Sequence, residues 1–225
     1  MYEDNNNKSK ETRANIDDFG VIKDSFNFDS DIQYMTIIGS IEGHTVLPSD
    51  TKTTKYENMI PQLISVQENP SIKGLLIVLN TVGGDVEAGL AISELISSIS
   101  KPTVSLVLGG GHSIGVPLAT AADYSFIAPS ATMTVHPVRT SGLVIGAEQT
   151  YEYLRKMQDR IIDFIVRTSQ SDRETISRLM RATDDMANDL GTILSGQEAV
   201  ECGLINRVGG LNEALSKLRE LIRHC

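Results

Sequence analysis

Long apolar runs are missing from this chain. Nowhere in its 225 residues do about 18 apolar residues follow one another, so no transmembrane helix is expected. Cysteine is nearly absent too: Cys202 and Cys225 are the whole supply. Two cysteines make no disulfide framework, and a reducing, cytoplasmic setting is the simpler expectation. Cys and His show no metal-ligand spacing, and no metal or other cofactor is expected. Basic residues are outnumbered, 20 Lys and Arg against 29 Asp and Glu, for a formal net charge of -9. That balance argues against nucleic-acid phosphates and anionic lipid as partners. The N-terminal stretch "MYEDNNNKSKETRANIDDFG" lacks an apolar core and does not read as a signal peptide.

What is present reads as an α/β domain. Residues 1–30 are polar and aperiodic, a tail expected to be disordered, and one domain is expected over 31–225. "QYMTIIGSI" (33–41) reads as a strand, and a helix is expected from Lys55 to Glu68. "IKGLLIVLN" (72–80) and "PTVSLVLGG" (102–110) are continuous apolar runs, the mark of strands buried on both faces. Helical spacing follows over 86–100, and a short helix of small residues over 113–123. "YSFIAP" (124–129) and "TMTVHPV" (132–138) read as strands. Residues 146–168 form the longest helix candidate, and a second helix is expected over 172–187. A helix capped by Ser195 and stopped at Gly203, a short strand and a terminal helix complete the chain. Strand–helix repetition of this kind implies a mostly parallel sheet with crossover helices.

In such sheets, sites lie beyond the carboxyl ends of the strands. Two glycine-rich stretches fall there, Gly83–Gly84 and Gly109–Gly111, and both read as turns leading into helices. Their free N–H groups could form a two-donor oxyanion hole. "GHSIG" (Gly111–Gly115) fits the G-x-S-x-G pattern of a nucleophile elbow. Ser113 is then either a nucleophile or simply a helix cap. A serine nucleophile needs a base. Of the four histidines, His224 belongs to the terminal helix and His44 to a turn. His112 adjoins Ser113 on a turn, where neighbouring side chains usually point apart, and is a poor base. His136, at a strand end in "TVHPV", is the best placed. An orienting carboxylate could come from Asp184, Asp185 or Asp189 in "TDDMANDLGT".

These stretches resemble the Clp-type serine peptidase family, and within it most of all the translocation-enhancing group. "NTVGGDVEAGLAI" (80–92) is similar to the family's N-S-P-G-G-x-V-x-A-G-x-A-I segment. "GGGHSIGVPLATAAD" (109–123) is similar to G-x-A-x-S-M-G-x-x-L-x-x-A, and "TMTVHP" (132–137) stands at M-I-H-Q-P. "LSGQEAVECGLINRV" (194–208) resembles L-S-x-x-E-A-x-x-x-G-L-x-D-x-V. The resemblance covers about 32–215, with the four motifs in order.

It implies a ClpP/crotonase-like fold: α/β, a mostly parallel sheet with crossover helices, and a protruding handle helix, which 146–168 would supply. It implies a serine-type endopeptidase acting on unfolded proteins or short peptides, export-linked ones among them. A homo-oligomeric ring is implied as well, with an ATPase partner left unassigned. Ser113 would be the nucleophile, His136 the base, and the N–H groups of Gly84 and Ile114 the oxyanion hole. Val82 replaces the proline of the family's glycine segment, and Ala182 stands where the family keeps its aspartate in R-D-T. Asp189, with Asp185 as the alternative, is therefore taken as the third residue. A crotonase-like acyl-CoA enzyme and a non-catalytic assembly protein on the same fold are the competing expectations.

Overall fold

The structure, a computed structural model, describes residues 30–140, 145–183 and 190–225. The expected tail therefore lies, but for Ser30, outside the described residues, and so do Asp184, Asp185 and Asp189.

Among the described residues, the chain from Ile32 builds an eight-stranded sheet. Strand β1 (Ile32–Glu42) alternates, with Met35 and Ile37 buried and Tyr34 and Ile38 exposed on the other face. A three-residue strand that sequence reading missed, β2 (Thr53–Lys55), runs parallel to its far end as the sheet edge. Helix α1 (Tyr56–Glu68) returns the chain, burying Met59, Leu63 and Val66. Strand β3 (Gly74–Gly84) follows, then α2 (Val86–Ser98), whose first turn is capped by Asp85 accepting from the Ala88 N–H at 2.8 Å. Next come β4 (Thr103–His112), α3 (Gly115–Thr120), β5 (Tyr124–Ile127) and β6 (Thr132–Val135). The long helix α4 (Ala147–Thr168) and α5 (Arg173–Arg181) precede β7 (Thr192–Ser195). Then α6 (Gly196–Glu201), β8 (Arg207–Val208) and α7 (Leu211–His224) close the chain.

The order β2-β1-β3-β4-β5-β8 is parallel throughout, with β6 parallel on β4 and β7 antiparallel on β6. The long apolar runs in β3 and β4 are explained by cover on both sides. One face packs against Leu63, Ile92, Ile96, Leu118 and Ile165 from the helices. On the other, Leu76, Val104, Leu106 and Phe126 meet Ala214 and Leu218 of α7.

The strand that matters most for the site is β4. Its first half, Val104–Val107, pairs with β5, and its last residues, Gly110–His112, pair with β6. Where it changes partner its register with β3 slips between Leu79 and Thr81. The Asn80 side chain fills the gap, its Oδ1 accepting from Gly110 N–H at 2.9 Å. A Cβ at Gly109 would lie 2.6 Å from that Oδ1, so a side chain there would displace the Asn80 amide.

Three expectations are corrected by this architecture. The two glycine stretches are not turns: Gly83–Gly84 end β3, paired with Ser40 and Ile41, and Gly109–Gly111 lie inside β4, with Gly110 and Gly111 paired to β6. The helix expected over 172–187 stops at Arg181, and Ala182 is extended at φ -60, ψ 145. The strand expected over 132–138 ends at Val135, just before His136 and Pro137.

Candidate active site

Ser113 lies where β4 stops and α3 begins, at φ 58, the one non-glycine residue with positive φ among those described. L-residues pay for this conformation, and such strain gathers at functional positions. The backbone around it is held from both sides. Its N–H donates to the Thr134 carbonyl on β6 at 2.9 Å, and its own carbonyl accepts from Val116 N–H at 3.0 Å. The simple capping role fails: the cap residue of α3 is Ile114, and no side chain caps that helix. The half-buried hydroxyl of Ser113 is left free for other work.

Packed against this elbow is the end of β3. Gly83 (φ 89) faces it so closely that a Cβ there would lie 2.6 Å from Ser113 Cβ and 2.8 Å from the His112 carbonyl. Gly84 (φ 152) runs so close to Ile41 that any side chain would strike its backbone. Both positions need glycine for conformation and for room. Gly84 and Ile114, the two expected oxyanion donors, thus stand at the ends of adjacent strands around Ser113.

His136 continues β6 two residues beyond Thr134, the residue that holds Ser113. No hydrogen bond joins its ring to Ser113 among the described residues. Its Nδ1 lies 2.7 Å from the Pro137 carbonyl. A carbonyl only accepts, so Nδ1 carries a proton, and in the neutral ring the lone pair then sits on Nε2, the form a general base needs. Gly191 (φ 135) approaches His136 so closely that a Cβ would fall 2.8 Å from His136 Cβ. Gly191 N–H in turn donates to the Ala182 carbonyl at 2.8 Å. The described residues that flank the candidate acids, Ala182 and Gly191, are thus joined to each other, with Gly191 against His136.

The other histidines are engaged elsewhere. His112 Nδ1 and Thr134 Oγ1 share a hydrogen bond of 2.8 Å, and burial pushes this ring below the usual imidazole range. His44 Nδ1 meets the Tyr56 hydroxyl at 3.3 Å, and His224 sits in the last turn of α7. Sequence reading missed the parts played by Asn80, Thr134 and the Pro137 carbonyl. Asn80 and Thr134 act through strand pairing that no local pattern reports, and a backbone carbonyl has no sequence signature.

A strained serine between a parallel strand and a helix, flanked by glycine-bound strand ends and a histidine-bearing strand, defines an α/β fold of the ClpP kind. Comparison with known proteins agrees. A chain of ClpP1 from Listeria monocytogenes, a mutant form, superposes with a TM-score of 0.65 at 22% identity, covering 81% of this chain and 94% of that one. The Clp protease family pattern matches residues 31–211, and this chain belongs to that family. It is 58% identical over 193 residues to the translocation-enhancing protein TepA of Halalkalibacterium halodurans, covering 86% of this chain and 75% of that protein. It is 29% identical over 140 residues to the ATP-dependent Clp protease proteolytic subunit of Leuconostoc citreum, covering 59% and 70%. No helix among the described residues is long and apolar enough to cross a membrane.

Proposed function

We propose that this chain is a serine endopeptidase that cleaves unfolded or short peptides. Ser113 is the nucleophile, His136 the base, and the N–H groups of Gly84 and Ile114 the oxyanion hole. The observation that carries this reading is the Ser113 elbow: a strained, uncapped serine whose backbone is tied to the strand that presents His136.

In the first step Ser113 Oγ bonds to the scissile carbonyl carbon while its proton passes to His136 Nε2. The carbonyl π pair moves onto oxygen, and the two amide donors hold that charge. Collapse expels the amine, which takes the proton from Nε2 and leaves an acyl-enzyme. Water then repeats the sequence and releases the acid. Each amide donor contributes about 2.7–4 kcal/mol to the barrier reduction in such sites. The Pro137 carbonyl keeps the Nδ1–H tautomer, a duty usually given to a carboxylate. Asp189, or Asp185, is proposed as the carboxylate that stabilises the imidazolium, because the flanking residues Ala182 and Gly191 are hydrogen-bonded to each other and Gly191 packs on His136. A homo-oligomeric ring accompanies this reading, with α4 as the handle between rings, and a reducing cytoplasmic setting suits the two free cysteines.

The test is labelling by a fluorophosphonate probe. Wild type should be modified at residue 113, and Ser113→Ala and His136→Ala should not. Equal labelling of wild type and Ser113→Ala removes Ser113 from its role. A folded wild type that neither labels nor cleaves an unfolded substrate supports the non-catalytic assembly protein.

A further inference from the structure

Thr81 lies three residues before Gly84, in the stretch where the sheet brings both proposed donors together. Its side chain is 1% exposed. The hydroxyl donates to the Gly39 carbonyl at 2.6 Å and accepts from the Gly83 N–H at 3.0 Å. Gly39 sits at the bulge of β1, with φ 75. The methyl group faces the other donor segment: a Cβ on Gly115, the residue after Ile114, would lie 2.8 Å from Thr81 Cγ2. In register, Thr81 stands opposite Gly111 of β4.

Two backbone groups, the half-buried Gly39 carbonyl and the buried Gly83 amide, need partners. A single hydroxyl serves both because it donates once and accepts as well. Gly83 and Gly84 are loose by nature. Val82 between them and Thr81 is 64% exposed and gives no packing hold. Pairing with Ser40 and Ile41 of β1 holds the strand end on one side; the hydrogen bond from Gly83 to Thr81 is the side-chain hold on its path. We infer that Thr81 is a positioning residue of the oxyanion hole: its hydroxyl fixes Gly83–Gly84, and its methyl sets their spacing from Ile114. This rests on the peptidase reading above. Donors that are fixed in advance act in the transition state more than in substrate binding, so the signature is a loss in kcat.

Thr54 supplies a matched control. It is also buried, and its hydroxyl accepts from Ile38 N–H at 2.8 Å and donates to the Ile38 carbonyl at 2.9 Å, away from the elbow. The experiment compares full-length Thr81→Val, Thr81→Ser and Thr54→Val. It measures kcat and KM on a fluorogenic peptide, melting temperature, and amide exchange across 81–85. Thr81→Val should lose about tenfold or more in kcat, with KM within about twofold, as small misplacements of catalytic groups do. Thr81→Ser should restore most of that loss. Thr54→Val should melt earlier with kcat unchanged. Should Thr81→Val not fold, Thr81→Ala is measured against Thr81→Ser with the same expectation. Wild-type kcat in the hydroxyl-less variant, or an equal loss in Thr54→Val, overturns the inference. If wild type proves inactive, the peptidase reading fails, and exchange still decides: amides 83–85 must open faster in Thr81→Val and not in Thr81→Ser, and unchanged protection rejects the positioning role.

Discussion

Replacing Ser113 with glycine should kill the site and stabilise the protein, two effects that pull apart cleanly. Ser113 holds φ 58. A left-handed conformation costs an L-residue about 1–2 kcal/mol, and glycine removes that cost. Glycine also loses more freedom on folding, an opposing effect of about 0.5–1 kcal/mol. The serine hydroxyl caps no helix, so its removal leaves no orphaned N–H to subtract. The net gain is about 0–1.5 kcal/mol. For a chain of this size, 1 kcal/mol moves the melting temperature by about 2–4 °C, so Ser113→Gly should melt no lower than wild type and up to about 6 °C higher. Ser113→Ala keeps the Cβ and the strain, and should melt close to wild type. Both variants should be inert to a fluorophosphonate probe. The assay is thermal unfolding of the three proteins at one protein concentration, because assembly shifts apparent stability. If Ser113→Gly melts below Ser113→Ala, the elbow is not strained in the way the backbone indicates, and the link between strain and site is lost.

Other expectations are independent of that one. Gly191→Ala puts a methyl group 2.8 Å from His136 Cβ and 2.7 Å from the Val135 carbonyl, so probe labelling should slow by about tenfold or more while Ser113 remains intact. Burial holds the His112 ring below the ordinary imidazole range. The unfolded chain therefore takes up that proton first as pH falls, and native stability drops below pH of about 6.5. Thermal melts of His112→Gln across that range should show a shallower decline than wild type; an identical slope removes His112 from the acid response. Arg160 forks onto Glu87 at 2.5 and 2.9 Å, tying α4 to the first turn of α2. Both side chains are about half exposed, so Arg160→Ala should cost only about 0.2–1 kcal/mol, seen as a small fall in melting temperature that shrinks at high salt. Ser195 forms a capping box with Glu198. Its replacement by alanine should cost about 1 kcal/mol in thermal unfolding, with labelling unchanged.

Much of the scaffold was written in local pattern. The apolar runs of β3 and β4, the capped start of α6 at Ser195, the stop at Gly203 and the 22-residue α4 all came from periodicity and end signals. The four ordered motifs also pointed to the family and to Ser113 and His136. The glycines misled. Their usual meaning is freedom of φ, so they read as turns, whereas Gly109 lies within a strand, packed against the Asn80 amide. The end of α5 was overextended because the polar pattern beyond Arg181 carries no strong stop signal.

The sequence by itself determined which residues are buried, where the long helix runs, and which serine and histidine stand at strand ends, since burial and capping are local demands on side-chain type. Only the tertiary structure decided that β4 trades β5 for β6 and that Thr134 ties Ser113 to the histidine strand. Those outcomes depend on which strands become neighbours. A side-chain pattern reports the face that seeks burial, but not the partner that will provide it.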